Sequence, residues 1–271
     1  MRNRIISGVV LLPILVFLII YGGLPLHITN IVISAIGLHE FYKAMSGKIV
    51  HVHYFGFAAC IFYGIFAEPL VNIDNAFNAF AAVFIVLLLI YMVVFHKTCN
   101  DRDVFITLFG FFYVCFLLMH IYLARIYPYG EFFVWLIFIA SFMCDTGAYF
   151  TGMLIGKHKL IPDLSPKKTI EGAVGGVVWA TAAAIIYGII IENYFVLEDV
   201  STILLCTIIG VVGSILSQIG DLAASSFKRM VGIKDYGKLI PGHGGIMDRF
   251  DSVIITAPVV YYVMVALIKV F

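Results

Sequence analysis

Residues 217 to 251 read SQIGDLAASSFKRMVGIKDYGKLIPGHGGIMDRFD. The stretch begins inside an apolar run, leaves it through Lys228 and Arg229, and turns through a segment rich in glycine. It then enters a second apolar run through Asp248 and Asp251. Apolar runs of this kind, joined by a polar loop with turn-forming residues, are typical of a membrane protein that carries its functional groups at the membrane surface.

The chain as a whole is too apolar to fold in water. Of its 271 residues, 62% are hydrophobic and only 12% are charged, so a soluble fold would expose extensive apolar surface. A helix needs about 20 mostly apolar residues to span a bilayer. We therefore predict an all-α, polytopic membrane protein with about nine transmembrane helices. The predicted spans are 4–22, 26–44, 53–68, 76–95, 104–124, 132–152, 171–191, 200–222 and 250–270.

The distribution of basic residues predicts the orientation of these spans. With a cytoplasmic N-terminus, all but two of the 17 Lys and Arg residues lie on the inner side, and only Arg125 and Lys269 lie outside. Cytoplasmic loops of membrane proteins carry such an excess of positive charge. We therefore predict a multi-pass protein of the cell membrane (the cytoplasmic membrane if the source is bacterial), with an external C-terminus and a basic inner face that suits anionic ligands.

Chemically informative residues concentrate in the second half of the chain. Residues 1–130 are predicted to form N-terminal membrane helices, spans one to five, and residues 131–271 a catalytic membrane domain with cytoplasmic loops 153–171 and 223–249. Within the first half, Glu40 either contacts the site or, as the favoured alternative, sits at the interface as a solvated helix end. The five cysteines lack paired spacing, which argues against a structural metal site or disulfides.

The sixth span carries an acidic residue within its apolar run. An Asp at the centre of a span costs about 2.5 to 3.5 kcal/mol on insertion scales. Asp145, Tyr149 and Gly152 share one helical face, and we expect that face to point into the bundle. A simple hydrogen bond from Asp145 to a neighbouring helix is the alternative.

The loop after this span, 156–172, reads GKHKLIPDLSPKKTIEG and concentrates four lysines. Thr169 is the predicted N-cap of the seventh helix, and a helix start beside Lys167 and Lys168 is suited to a phosphate group. Ordinary positive-inside topology is the alternative. The glycines that follow Thr169, like those at 242–245, form no nucleotide-binding fingerprint, and no strand is predicted before them.

The eighth span carries a polar stripe that has to face protein or water. The stripe consists of Ser214, Ser217 or Gln218, Asp221, Ser225 and Lys228. Asp221 and Asp248 thus flank one loop at the inner surface. Mg2+ binds oxygen ligands, usually one or two carboxylates with waters and phosphate oxygens. We predict that Asp221 and Asp248 bind Mg2+, with Asp251 as a further ligand or, like Asp145, in the outer shell.

The surrounding groups are suited to phosphate chemistry. Phosphoryl and nucleotidyl transfer depend on positioning and charge neutralisation more than on a covalent nucleophile, and the sequence offers no Ser-His-Asp or Cys-His set. The predicted catalytic residues are Asp221, Lys228, Asp248 and Arg249. The predicted substrate-binding residues are Asp145, Tyr149, Lys167, Lys168, Arg229, Lys234, His243, Gly244 and Gly245.

The loop between the last two spans resembles a family signature. It contains SFKR at 226–229, KD at 234–235, Gly237, IP at 240–241, HGGI at 243–246 and DRFD at 248–251. With DTGAY at 145–149 and SPKKTIEG at 165–172, this pattern is similar to that of phosphatidate cytidylyltransferases, the CDP-diacylglycerol synthases. The resemblance covers about residues 140–270, and the first 130 residues match only in being polytopic.

The resemblance implies an activity and its partners. The phosphate of phosphatidic acid would attack the α-phosphorus of CTP, giving CDP-diacylglycerol and pyrophosphate in phospholipid biosynthesis. It implies Mg2+ held by Asp221 and Asp248 with Lys228 close by, a second, monovalent cation as a further option, and a homodimer in the lipid bilayer, with no nucleic-acid partner.

Two other classes of function stay open. A CDP-archaeol synthase or a polyprenol kinase would also combine CTP with a membrane lipid, although the signature favours a cytidylyltransferase over a kinase. Intramembrane carboxylates also mark the ion pathways of transporters. Against a transporter, the two halves of the chain show no obvious repeat, and the polar residues gather at the inner end instead of the midplane.

Overall fold

The computed structural model describes residues 2–195, 201–242 and 244–268. This part of the chain contains nine long helices, each of which overlaps one predicted span. They are α1 (Arg2–Tyr21), α2 (Gly23–Ser46), α3 (His53–Asn72), α4 (Ala76–Val94), α5 (Asp101–Ile126), α6 (Gly130–Ile155), α7 (Ile170–Tyr194), α8 (Thr202–Met230) and α9 (Met247–Leu267).

Seven of these helices, α3 to α9, are long and apolar enough to cross a membrane. The protein is therefore a polytopic all-α membrane protein, as predicted. Membrane crossing by α1 and α2 and the orientation of the termini stay predictions. Helix α8 continues to Met230, so that residues 223–230 are helical although they were assigned to a cytoplasmic loop.

A small β-hairpin between α6 and α7 was not predicted. Strand β1 (Lys159–Ile161) pairs antiparallel with β2 (Ser165–Thr169), which ends directly before α7. The expectation that no strand precedes the glycines of α7 is therefore wrong. Proline at 162 and 166 disfavours helix here and keeps the backbone extended. Thr169 is the N-cap of α7, as predicted, because its hydroxyl accepts a hydrogen bond from Gly172 N at 3.1 Å.

Three helices contain a π-helical segment that the sequence did not indicate. These segments are Phe111–Phe116 in α5, Ile139–Met143 in α6 and Ile209–Gly213 in α8. A π-helical turn inserts an extra residue and rotates the side chains that follow, and such turns are frequent near functional sites. Two of them come immediately before the polar parts of α6 and α8, so they set the faces on which Asp145 and Asp221 lie.

Helix α9 joins the two predicted halves of the chain. It packs against α5 of the first half and against α8 of the second, and one buried apolar cluster contains residues of both halves. Helices α6 and α7 pack closely through small residues of α7. A Cβ on Gly176 would lie 2.8 Å from the carbonyl oxygen of Cys144, which explains why this position is a glycine. The bundle thereby brings the start of α9 next to the polar ends of α6 and α8.

Candidate active site

Three carboxylates meet where α6, α8 and α9 come together. A Cβ on Gly220 would lie 2.6 Å from the carbonyl oxygen of Asp251, so glycine permits α8 and α9 to approach closely. Asp221 follows Gly220 and carries its charge beside Asp251 and Asp145, both of which it affects electrostatically. Ser252 donates its hydroxyl to Oδ2 of Asp145 at 3.4 Å. We call Asp145, Asp221 and Asp251 the acidic cluster.

The hairpin supplies a cation to this cluster. Nζ of Lys168 forms an ion pair with Oδ2 of Asp221. The pair is partly open to solvent, with side-chain exposures of 28% for Lys168 and 25% for Asp221. The two residues were predicted to bind different ligands, a phosphate and a metal ion, and the structure brings them into direct contact.

Asp248 occupies a more enclosed position at the start of α9. Its Oδ1 accepts a hydrogen bond from Nζ of Lys228 at 2.9 Å, and its Oδ2 accepts from Tyr236 N at 2.8 Å and Gly245 N at 3.0 Å. The side chain of Asp248 is only 3% exposed, and that of Lys228 is 14% exposed. Asp248 therefore ties the end of α8 to two points of the α8–α9 loop.

Tyr236 also connects the α8–α9 loop with the end of α8. Its ring lies under Lys228, with Nζ 5.5 Å from the ring centroid. Its hydroxyl donates to the carbonyl oxygen of Ala224 at 3.2 Å. Burial raises the pKa of the Tyr236 phenol above its usual range, so the hydroxyl stays protonated and remains a donor. The sequence analysis missed this residue, because a single tyrosine in a loop gives no signal of its own.

The two aspartates that were predicted to share a metal ion thus have different surroundings. Lys228 pairs with Asp248 and its charge also acts on Asp251, while Arg249 acts on Asp145. Among the described residues, no group of three or more His, Cys, Asp or Glu side chains is arranged as a metal-binding cluster. Asp221 is paired with Lys168, whereas Asp248 accepts three hydrogen bonds.

The α8–α9 loop encloses a polar cavity of about 700 Å³, which we call the loop pocket. Its cations are Lys234, Lys238 and Arg249. Gly244 adopts φ +83°, and its carbonyl accepts from Ile240 N at 2.9 Å, which closes a tight turn at the wall of the pocket. Of the predicted binding residues, Lys234 and Gly244 line this pocket. His243 lies outside the described residues.

A second cavity of about 380 Å³ runs between α6, the hairpin, α7 and α8, and we call it the lateral groove. Its polar lining includes Asp145, Lys167 and Lys168, and its apolar lining includes Met153. Tyr149 also lines it and is 65% exposed.

The lateral groove corrects one expectation and leaves one predicted residue outside. Asp145, Tyr149 and Gly152 line the groove together. Asp145 is directed towards α9 of the bundle, where Ser252 donates to it, and this contact is also the hydrogen bond to a neighbouring helix that was the alternative. Tyr149 is 65% exposed, so the expectation that the whole face points into the bundle is wrong for Tyr149. Small residues on α7, such as Gly172 and Ala173, leave the space open. Arg229 is exposed at the end of α8 and lines neither the groove nor the loop pocket.

Glu40 departs from its favoured interpretation. It is only 6% exposed, and its Oε2 accepts a hydrogen bond from Met247 N at 3.0 Å. The interpretation of Glu40 as a solvated helix end is therefore wrong, and the alternative, a contact with the site, is confirmed. The only signal in the sequence was its place beside His39 as the one polar pair within an early run.

Comparisons with known proteins extend over nearly the whole chain. The model of the cytidylyltransferase family matches residues 2–267. The phosphatidate cytidylyltransferase of Bacillus subtilis (strain 168) is 32% identical over 273 residues, which cover 97% of this chain and 97% of that protein. Proteins of the same name from Staphylococcus saprophyticus and Staphylococcus aureus (strain COL) are 31% and 32% identical over 98% of this chain and 99% of theirs. The similarity thus includes the first 130 residues, beyond the part that the sequence analysis related to this family.

Proposed function

The chain belongs to the cytidylyltransferase family, and we propose that it transfers the cytidylyl group of CTP to phosphatidic acid, giving CDP-diacylglycerol and pyrophosphate. One structural observation carries the proposal. A groove with an apolar wall is lined by Asp145 and Lys168, and a distinct polar pocket is lined by Lys234, Lys238 and Arg249, so the two provide separate places for a membrane lipid and a water-soluble nucleotide.

The loop pocket is suited to the triphosphate of CTP. Lys234, Lys238 and Arg249 supply three positive charges, and glycine-rich backbone lets amide groups approach phosphate oxygens closely. A volume of about 700 Å³ lies within the usual range for small-molecule sites. Arg249 also acts on Asp145, so its side chain connects the pocket with the acidic cluster.

The lateral groove is suited to phosphatidic acid. Lys167 and Lys168 can pair with its phosphate, and the apolar wall with Tyr149 and Met153 can contact its acyl chains. Met153 is 61% exposed on the outer surface of α6, where lipid would surround it. Lys168 lines this groove and already contacts Asp221, so the lipid phosphate would arrive beside the acidic cluster.

The residues around the two substrates then act by positioning the reacting groups and by balancing their charge. An oxygen of the lipid phosphate attacks the α-phosphorus of CTP, the bond to the β-phosphate oxygen breaks, and pyrophosphate leaves with the bonding electrons. Lys168 holds the attacking phosphate, and Arg249 with Lys234 balances charge on the departing pyrophosphate. Lys228 and Asp248 keep the loop in the shape that presents these groups.

Mg2+ is the cofactor that we propose for this reaction. The acidic cluster offers only carboxylate oxygens, which are the ligands that Mg2+ prefers. Asp221 would hold the ion, with Asp251 and Asp145 beside it. Asp248 would join through its Oδ1, which accepts only the hydrogen bond from Lys228, since its Oδ2 already accepts two. Bound Mg2+ would neutralise phosphate charge. A second, monovalent cation stays part of the proposal.

The cellular setting of the reaction is also a proposal. The site lies at the end of the bundle that carries most of the basic residues, so we place it on the cytoplasmic side, where CTP is available. Cysteine labelling from each side of intact cells tests this orientation. The homodimer rests on the family resemblance, and light scattering of the purified protein in detergent measures it.

CTP labelled separately at its α- and γ-phosphorus tests the function. Purified protein is incubated with phosphatidic acid, Mg2+ and either label. We expect the α-label in the lipid and the γ-label in pyrophosphate. Transfer of the γ-label to a lipid alcohol would identify a kinase and overturn the proposal, as would uptake of a solute into proteoliposomes without consumption of CTP. A parallel reaction with an ether-linked phosphatidic acid analogue separates this activity from a CDP-archaeol synthase.

A further inference from the structure

Glu40 brings the first half of the chain into the loop that we assign to the nucleotide. It lies near the end of α2, and its Oε2 accepts from Met247 N, 207 residues further along the chain. The backbone of Ile246 also favours the charged carboxylate. The first N–H groups of a helix have no partner within the helix, and the helix dipole favours a negative charge there. Glu40 therefore caps the start of α9.

Two glycines of the loop pack against the same carboxylate. A Cβ on Gly237 would overlap Oε1 of Glu40, and a Cβ on Gly245 would overlap both carboxylate oxygens. Gly237 lines the loop pocket, and Gly245 N donates to Oδ2 of Asp248. Two glycines of the loop pattern are thus required by a side chain from a different part of the sequence.

The polar partners of the Glu40 carboxylate are backbone groups. Among the described residues, no Lys or Arg forms an ion pair with it. A buried charge is costly unless hydrogen bonds compensate for it. The hydrogen bond from Met247 N and the backbone of Ile246 reduce this cost, so the placement of Glu40 and the shape of the loop depend on each other.

We propose that Glu40 is a positioning residue for the nucleotide. The Glu40 carboxylate contacts the loop and holds Gly237, Gly245 and the start of α9 in place, so that the loop pocket keeps its shape. The inference rests on the proposed function, because it concerns the CTP side of that reaction. It assigns a role in nucleotide binding to a residue of the first five helices.

Removal of the Glu40 carboxylate should weaken the binding of CTP and leave the binding of phosphatidic acid unchanged. Hydrogen bonds to a charged group are worth enough to change an equilibrium constant by about tenfold or more. We therefore expect Glu40→Ala to raise the KM for CTP at least about tenfold, with the KM for phosphatidic acid unchanged. Glu40→Gln keeps an acceptor oxygen but loses the charge, so its effect should be smaller.

The experiment measures both KM values on purified full-length protein in detergent, with Glu68→Gln as the matched control. Glu68 is an exposed acid at the opposite end of α3 from His53, and we expect wild-type values for its variant. A purely structural role for Glu40 would lower kcat with the fraction of folded protein and leave both KM values unchanged. That result, or an equal rise in both KM values, would overturn the proposal.

Hydrogen exchange gives a readout that does not depend on turnover. Glu40→Ala should increase amide exchange at residues 236–247, with the hairpin at 159–169 unchanged. If the wild-type protein did not convert CTP, the proposed function would fail, and protection of the loop by Glu40 could still be measured. Unchanged exchange in the loop would contradict the positioning role.

A double variant tests the contact between Glu40 and Gly245. Gly245→Ala should raise the KM for CTP because its Cβ overlaps the carboxylate. In a Glu40→Ala background this overlap is absent, so the second substitution should cost much less than it does alone. Strictly additive effects would show that the two residues do not interact, and would sink this part of the inference.

Discussion

The site contains two lysine–aspartate pairs that differ in exposure. In the Lys228–Asp248 pair the side chains are 14% and 3% exposed, and both aspartate oxygens accept hydrogen bonds. In the Lys168–Asp221 pair the side chains are 28% and 25% exposed, and the ion pair involves only Oδ2 of Asp221. The enclosed pair holds the loop in place, whereas the open pair lies beside the lateral groove and two further carboxylates. We therefore propose that the substrates bind beside the open pair.

The largest effect is expected from Asp221→Asn, which should abolish product formation. The substitution removes the charge that we propose for Mg2+ binding. The protein should stay folded, with an unchanged unfolding temperature in detergent, because a partly exposed ion pair contributes only about 0 to 1 kcal/mol. Asp163→Asn, in the exposed turn of the hairpin, is the control with the same chemical change. Near-normal turnover of Asp221→Asn would show that the open pair is not the reactive one.

Asp248→Asn should also abolish activity, but with a loss of stability. Breaking a buried pair leaves one charge uncompensated and costs about 3 to 5 kcal/mol. We therefore expect a lower unfolding temperature for this variant than for Asp221→Asn. Removing both charges, in Lys228→Gln with Asp248→Asn, should restore part of the stability without restoring activity. Equal unfolding temperatures for Asp248→Asn and Asp221→Asn would show that the enclosed and the open lysine–aspartate pairs do not differ in their contribution to stability.

Asp251→Asn should have a smaller effect, which measures how much this carboxylate contributes to Mg2+ binding. Removal of divalent ions with EDTA should stop the reaction, and Mg2+ should restore it. Loss of a group that supports a metal typically weakens binding by about 10 to 100-fold. Asp251→Asn should therefore raise the Mg2+ concentration for half-maximal activity by about this factor. If wild-type protein kept full activity in EDTA, the metal proposal would be wrong.

The smallest effects concern the two neighbouring lysines of the hairpin. Lys168→Gln should raise the KM for phosphatidic acid about tenfold, since the residue lines the groove and contacts Asp221. Lys167→Gln should raise it only a few-fold, because Lys167 is exposed. Lys97→Gln, in the connection between α4 and α5, should leave it unchanged. Equal effects at 167 and 168 would argue against a special position for Lys168.

The sequence predicted the helices and the N-cap at Thr169, because apolar run length and helix capping act locally. The metal site at Asp221 and Asp248 stays a prediction. The structure gives these two carboxylates different lysine partners, Lys168 and Lys228, which no local pattern indicated. The family resemblance added the reaction and its substrates.

The remaining features depend on contacts between distant parts of the chain. Glu40 meets Met247 across 207 residues, and nothing near either residue indicates the contact. The π-helical segments rotate the faces of α6 and α8 without a recognisable pattern of their own. The exposure of Tyr149 depends on the small residues that α7 places opposite it. The hydrogen bonds from Tyr236 N and Gly245 N to Asp248 depend on how the α8–α9 loop folds back.

The most direct test of the central claim is an experimental structure of the protein with a non-hydrolysable CTP analogue and Mn2+, whose anomalous scattering locates the metal. We expect a metal peak beside the carboxylate of Asp221 and the triphosphate in the loop pocket, with its α-phosphorus facing Lys168 in the lateral groove. A metal bound away from Asp221, or a nucleotide bound outside the loop pocket, would contradict the central claim.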